Sequence, residues 1–364
     1  MNFIPLEYYS LLFFQLLLLI VAFTYLNSLQ TELTNSRSLQ FTNYFGRFVV
    51  LVVILYLGLR PISFAFGDMG VYNIEFKKYV AGASFDARKD LLFEGMKYFF
   101  AKYLTAKSFF FTCAFFYVYL LYLATKKMFK DYWFYAFLML IVAFTFWAYG
   151  SNGIRNGLAT SVFVYALSRD KKYAVYILLL ISYFIHKGMF IPIFGFIVAS
   201  NFSNIKWYLF AWFSAIPLAL FFGGFWHSFF LGLGMGEDKL DTYLGSFDQV
   251  NAGVELVVGF RWDFLIYSFS GVFAGWYFII KKGFNDVFYT KLFNIYLMAN
   301  ALWILVIRAN YSNRFAFLSW FLLGLVILYP LLKSRIVTNQ HAVIVRIILV
   351  FFAFCYLMNV ILLK

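Results

Sequence analysis

The chain is short of charge, cysteine, histidine and proline, and each shortage excludes something. Only 13% of its 364 residues are Asp, Glu, Lys or Arg, against ~25% in an ordinary soluble domain. Together with 64% apolar residues and a mean hydropathy of +0.80, that excludes a soluble enzyme, a disordered chain and a nucleic-acid binder. Its 2 cysteines, Cys113 and Cys355, lie inside apolar runs with no CxxC or other metal spacing, which removes a secreted disulfide scaffold and a zinc site. No Walker A sequence is present, so nothing points to ATP hydrolysis. There is no DxD, no HxxxH and no Asp-rich cluster, so no metal site and no cofactor are expected. Acids are the scarcer sign, 16 against 30 Lys and Arg for a net +14. On so apolar a chain that surplus describes membrane topology. What is abundant is aromatic, with 52 Phe and 28 Tyr, and interfacial belts absorb much Tyr and Trp.

Charge-free windows mark the spans: residues 8–31, 108–125, 132–154, 264–280, 292–307, 315–332 and 347–363. Residues 48–66 and 207–224 add two more, the first interrupted by Arg60-Pro61. Residues 156–168 make a short span, and 173–200 reads as two short helices meeting at His186-Lys187-Gly188, a poor helix centre in lipid. The expected fold is all-α, a polytopic membrane bundle of about twelve transmembrane helices forming one integral domain over residues 1–364. The first apolar run lacks a basic leader and a small-residue cleavage site, so it reads as a span rather than a signal peptide.

Alternating the spans so that residues 32–47 lie inside gives the inner face fifteen basic and four acidic groups, a net +11, and leaves +3 outside. The positive-inside rule favours that orientation. It creates two long outer, periplasmic loops, 67–107 and 225–263. Within the first, residues 90–107 space Leu91, Leu92, Met96, Phe99, Phe100 and Tyr103 as one helical face, with Lys97, Lys102 and Lys107 elsewhere. This predicts an amphipathic helix lying on the outer surface. The second loop is Gly-rich (Gly232, Gly234, Gly236) and then acidic, a candidate lid.

The informative cations are those on the wrong side for topology: Arg60, Arg155, Lys187, Arg308 and Arg314, each close to an outer span end. Arg155 follows Ser151-Asn152-Gly153, a helix start, where a cation opposes the helix dipole unless an anion such as a phosphate lies between. The alternative is an arginine snorkelling to lipid headgroups. Arg308 and Arg314 flank the polar connector 309–313, which contains Asn313, and two guanidiniums on one turn suit a phosphate or carboxylate. Arg60 either pairs with Asp68 or faces substrate. His186, between apolar helices beside Lys187, is a general base, a positioner or a packed polar group.

At these same residues the chain resembles the EpsG-like branch of the bacterial O-antigen and exopolysaccharide polymerases, the Wzy type. The resemblance rests on Gly58-Leu59-Arg60 followed by Gly67-Asp68 and Tyr72, and on Ile154-Arg155-Asn156-Gly157-Leu158-Ala159. It also includes His186 at the next span and Asn313-Arg314-Phe315. Asn156 stands where the family has glutamine, and Lys187-Gly188 where it has tyrosine-serine. The resemblance implies a multi-pass protein of the bacterial inner membrane whose active site faces the periplasm. It implies a metal-independent glycosyltransferase that polymerises undecaprenyl-diphosphate-linked oligosaccharides, donor and acceptor alike, into O-antigen or related surface polysaccharide, as in lipopolysaccharide biosynthesis. Arg155, His186 and Asp68 are then the catalytic candidates. Arg60, Arg155, Lys187, Arg308, Arg314, Tyr72 and Asn313 are the diphosphate and substrate contacts. Membrane lipids and a chain-length regulator protein are the further partners. The competing readings are a flippase for the same lipid-linked oligosaccharides and a membrane O-acyltransferase. Cations grouped at one membrane face favour chemistry there over transport, and the first span lacks the histidine and arginine an acyltransferase would need.

Overall fold

The structure is a computed structural model that describes residues 4–86, 90–232, 259–309 and 312–362. All regular structure among these residues is helical. Among the described residues seven helices are long and apolar enough to cross a membrane: Leu6–Gln30, Ser36–Gly58, Ala106–Ile141, Ile205–Trp226, Trp262–Lys281, Ser312–Lys333 and Gln340–Leu362. The expectation of about twelve differs because the middle of the chain is built from shorter pieces. Residues 132–154 are not one helix but two, separated at Val142-Ala143. Residues 173–200 form two apolar helices on either side of His186.

The chain divides into two compact units, one formed by Met1–His186 with Leu328–Lys364 and the other by Lys187–Ile327. In the first, α1 (Tyr9–Gln30) and α2 (Ser36–Gly58) are joined by a turn in which Asn35 accepts the Ser38 N–H at 3.0 Å, an N-cap that satisfies one of the helix's orphan donors. Next come α3 (Asp68–Val80) and α4 (Leu91–Tyr103). Then α5 (Ala106–Phe129) opens on a Thr105–Ser108 capping box. The short α6 (Trp133–Ile141) and α7 (Phe144–Ser151) lead into a hairpin of α8 (Ile154–Leu167) and α9 (Lys172–Ile185). All nine residues of α6 are buried, the expected fate of a helix apolar on every side. α5 lies against α2, α6 and α8.

Helix α4 covers the apolar stretch predicted in the first long loop, but its polar side faces inward. Phe93, Glu94, Lys97 and Ala101 are buried, while Leu91, Leu92, Phe99 and Tyr103 are exposed. Lys97, placed by the sequence off the apolar face of a surface helix, is 0% exposed. Periodicity separates two faces of a helix without saying which one the protein keeps, and beside a bilayer an apolar face can be left to lipid.

The second unit contains α10 (Phe190–Asn201), α11 (Ile205–Gly232), α12 (Trp262–Trp276), α13 (Val287–Leu305) and α14 (Ser312–Trp320). α13 packs against α10, α11 and α14. Gly271 and Gly275 of α12 are the recesses into which the Tyr296 and Phe293 rings of α13 fit, since a Cβ at either would lie under 3.0 Å from those rings. Such small-xxx-small spacing lets membrane helices approach closely. Most of the second long loop, including the glycines of the candidate lid beyond Gly232, lies outside the described residues.

Candidate active site

Arg60 shows how the first motif is folded. α2 stops at Gly58 ahead of Pro61, a residue that disfavours helix in the position before it. The arginine turns back and is 5% exposed. Its Nη1 donates to the Leu57 carbonyl and its Nη2 to the Ser151 carbonyl at 3.4 Å, and its guanidinium lies 5.7 Å from the Phe66 ring centroid. These bonds run to main chain rather than to Asp68. Burial lowers the guanidinium to about 10, so it is still a cation at neutral pH. Gly67 then takes φ 61°, a conformation that side-chain-bearing residues rarely adopt. A Cβ there would fall 2.4 Å from Asn152 Oδ1, the atom that accepts the Asp68 main-chain N–H at 2.7 Å. Two strips 84 to 91 residues apart in sequence are thereby stitched together.

The hairpin of α8 and α9 does the rest. Its helices run antiparallel, and Ser182 Oγ donates to the Ala159 carbonyl at 2.8 Å across them. The first turn of α8 and the end of α9 therefore lie together, which brings Arg155 beside His186. Between them stands Asp90. Arg155 Nη1 lies 2.6 Å from Asp90 Oδ2, and His186 Nδ1 lies 3.5 Å from the same oxygen. Asp90 and His186 are each 4% exposed. Asp90 occupies the N-cap position of α4 yet makes no side-chain cap bond to it. Aspartate is among the preferred caps, so its carboxylate is held away from that role. Asp90 is not among the candidates that the sequence singles out. Its position just before an amphipathic helix was the one available signal.

Behind this group α4 is fastened to α3 by a buried knot. Lys97 Nζ reaches Glu75 Oε2 at 2.5 Å and Glu94 Oε1 at 2.7 Å, and the Tyr79 hydroxyl donates to Glu94 Oε2 at 2.8 Å. Burial, reinforced by that bond to Glu94, raises the Tyr79 phenol. Tyr72, expected at the substrate, is 7% exposed. Its ring meets Phe93 edge-on at 5.3 Å and has Lys97 Nζ at 5.7 Å, a packing position within the knot.

The remaining candidates belong to the second unit. Lys187 is exposed and opens a short turn, Lys187–Met189. Arg308 is exposed, and its Cδ lies 3.3 Å from where a Cβ on Gly223 would stand, next to the non-helical Phe222 that interrupts α11. Asn313 and Arg314 are half-buried in the first turn of α14; Asn310 and Tyr311 of the connector lie outside the described residues. α14 is held by a neutral network that sequence reading missed. Asn300 Nδ2 donates to Ser319 Oγ at 2.8 Å and Ser268 Oγ at 3.1 Å. Trp212 Nε1 donates to Asn300 Oδ1 and Trp320 Nε1 to Ser268 Oγ, both at 2.7 Å.

A model of the EpsG family matches residues 43–363. The chain belongs to the EpsG family. No curated protein and no solved structure matches it. The match covers every candidate named above, and the helices make this EpsG-family chain a membrane protein.

In chemical terms the candidate site of the first unit joins a cation, a carboxylate and an imidazole around one oxygen. The carboxylate neutralises Arg155 and stands next to Nδ1 of His186. A hydrogen bond to Nδ1–H would leave Nε2 of the neutral ring as the basic nitrogen. Among the described residues no three His, Cys, Asp or Glu side chains are grouped as metal ligands.

Proposed function

We propose that this protein is a polysaccharide polymerase that transfers a growing glycan from a polyprenyl diphosphate onto a hydroxyl of another lipid-linked oligosaccharide. The observation that carries the reading is the sharing of one buried Asp90 oxygen by Arg155 and His186, in a membrane protein of this family. The acceptor oxygen attacks the anomeric carbon with inversion, the carbon–oxygen bond to the diphosphate breaks, and the electron pair leaves with the diphosphate. Arg155 meets the charge that grows there, an electrostatic contribution largest where water is excluded. His186 Nε2 takes the acceptor proton, and Asp90 holds the ring and stabilises the imidazolium that results. Asp68, whose main chain is tied to Asn152, is the other candidate base.

The excess of Lys and Arg in the opposite loops supports placing this chemistry at the periplasmic face of the inner membrane. The exposed apolar side of α4 supports its lying against lipid, with undecaprenyl as the tail that suits such a site. The test uses purified protein and undecaprenyl-diphosphate-linked repeat units, followed on a gel without nucleotide or added metal. A ladder is expected from the wild type, and Arg155→Ala should lose it. Protein that binds the lipid-linked unit but never lengthens it would sink the proposal. In cells, deletion should leave single repeat units on the surface, whereas loss of a flippase leaves none.

A further inference from the structure

A second polar region lies at the far end of α1. The start of that helix sits near Arg60, since Tyr9 meets the Phe66 ring at 5.5 Å. Its 22 residues carry the chain roughly 33 Å at 1.5 Å each. There, residues 28–34 and 331–346 surround a cavity of about 500 Å³. Its charged lining is Lys333, Arg335 and Arg346 against the single acid Glu32.

The cavity is rigidly framed. His341 Nδ1 lies 2.7 Å from the Thr31 carbonyl and Nε2 lies 2.7 Å from the Tyr135 hydroxyl. A carbonyl only accepts, so Nδ1 carries the proton. The fixed positive charge of the cavity comes from Lys333 and the two arginines. Gln340 pins the loop that carries Arg335. Its Oε1 accepts the Ile336 N–H at 2.7 Å and its Nε2 donates to the Ser334 carbonyl at 2.9 Å. Helix α15 (Gln340–Tyr356) begins at this wall with no side-chain cap from Asn339, so its first N–H groups add to the positive potential.

A second hollow lies further back along the same helix. Leu16, Leu19 and Phe23 of α1 and Phe45, Phe48 and Val52 of α2 line an apolar groove of about 380 Å³. Phe23 and Ser28, the nearest lining residues of groove and cavity, are five positions apart, roughly 8 Å along the axis.

We propose that this end of the first unit binds a phospholipid with an anionic headgroup, its phosphate in the Arg335–Arg346 cavity and an acyl chain in the groove between α1 and α2. A basic surplus alone satisfies the positive-inside rule without any ligand. What adds to it here is a framed cavity and a neighbouring hydrocarbon groove. The site is separate from the proposed chemistry and does not depend on it.

The test purifies the full chain into nanodiscs of phosphatidylcholine alone or with phosphatidylglycerol, and counts the lipid retained by native mass spectrometry. Phosphatidylglycerol should be retained preferentially. Arg335→Gln and Arg346→Gln should each weaken retention roughly fivefold, the effect of one basic group near an anionic lipid. Both side chains are exposed, and an unchanged melting temperature would exclude misfolding. Lys127→Ala, a cation of the same predicted face outside the cavity, should leave retention unaltered. Equal retention of the two lipids would overturn the proposal, as would a loss in Lys127→Ala matching that in Arg335→Gln. So would inorganic phosphate that displaces the lipid and stabilises the protein equally well, because the occupant would then be a soluble anion.

Discussion

In the first unit buried side chains form ion pairs: Lys97 lies between Glu75 and Glu94, and Asp90 lies against Arg155. In the second unit they are neutral: Asn300, Ser268 and Ser319 bind one another and the indoles of Trp212 and Trp320. Both sets centre on buried side chains, yet they fail differently. A neutral network that loses a member leaves dipoles unsatisfied, whereas a charged one leaves an uncompensated ion. The first unit therefore tolerates fewer changes, and it is also the unit that holds the proposed base.

The largest effect should come from Lys97→Met. It leaves Glu75 and Glu94 facing each other without their cation, and breaking a buried pair in this way costs about 3–5 kcal/mol. Thermal unfolding in detergent should show it, and adding Glu94→Gln should restore part of the loss. Asn300→Ala comes next. It leaves the Trp212 indole N–H without its acceptor, a deficit of about 1–3 kcal/mol. If the two substitutions shift the melting temperature equally, the contrast between charged and neutral cores does not hold.

Gly67→Ala sharpens the contrast within the first unit, because it strains only the main-chain stitching and removes no charge. The φ of 61° and the contact with Asn152 should together cost roughly 1–2 kcal/mol. Polymer synthesis should fall further than stability does, since Asp68 and the strip before Arg155 move together. Equal falls in both would mean that the stitching is only structural.

The break at His186 was legible because charge and glycine interrupt an apolar run, and the adjoining helices end where that interruption lies. Arg155 was legible for a similar reason, as a cation in a first helical turn. Asp90 was not, because it meets Arg155 only after α4, α8 and α9 have assembled. The burial of Lys97 was hidden by the ambiguity of amphipathic helices at a membrane. The break in residues 132–154 had no local mark near Val142. Just beyond it the Tyr117 hydroxyl of α5 donates to the Phe146 carbonyl at 3.2 Å, a contact no local pattern announces. Local chemistry reads well from a chain like this one, and long-range pairing does not.

The smallest effect is expected where charge meets water. Lys127 Nζ lies 2.6 Å from Asp170 Oδ2, but both side chains are largely exposed. The hydrogen bond from Lys127, then its charge, holds the Asp170 carboxyl below the usual carboxylate range. A carboxyl lowered by folding contributes stability above its unfolded value and loses it as pH falls through the folded one. Here solvent screens both groups. Lys127→Ala should therefore leave the melting temperature unchanged near neutral pH and through the acid range, at low and high salt alike. A clear, salt-sensitive drop would show that exposed pairs support the first unit as well, and the distinction between its buried ions and its surface would have to be redrawn.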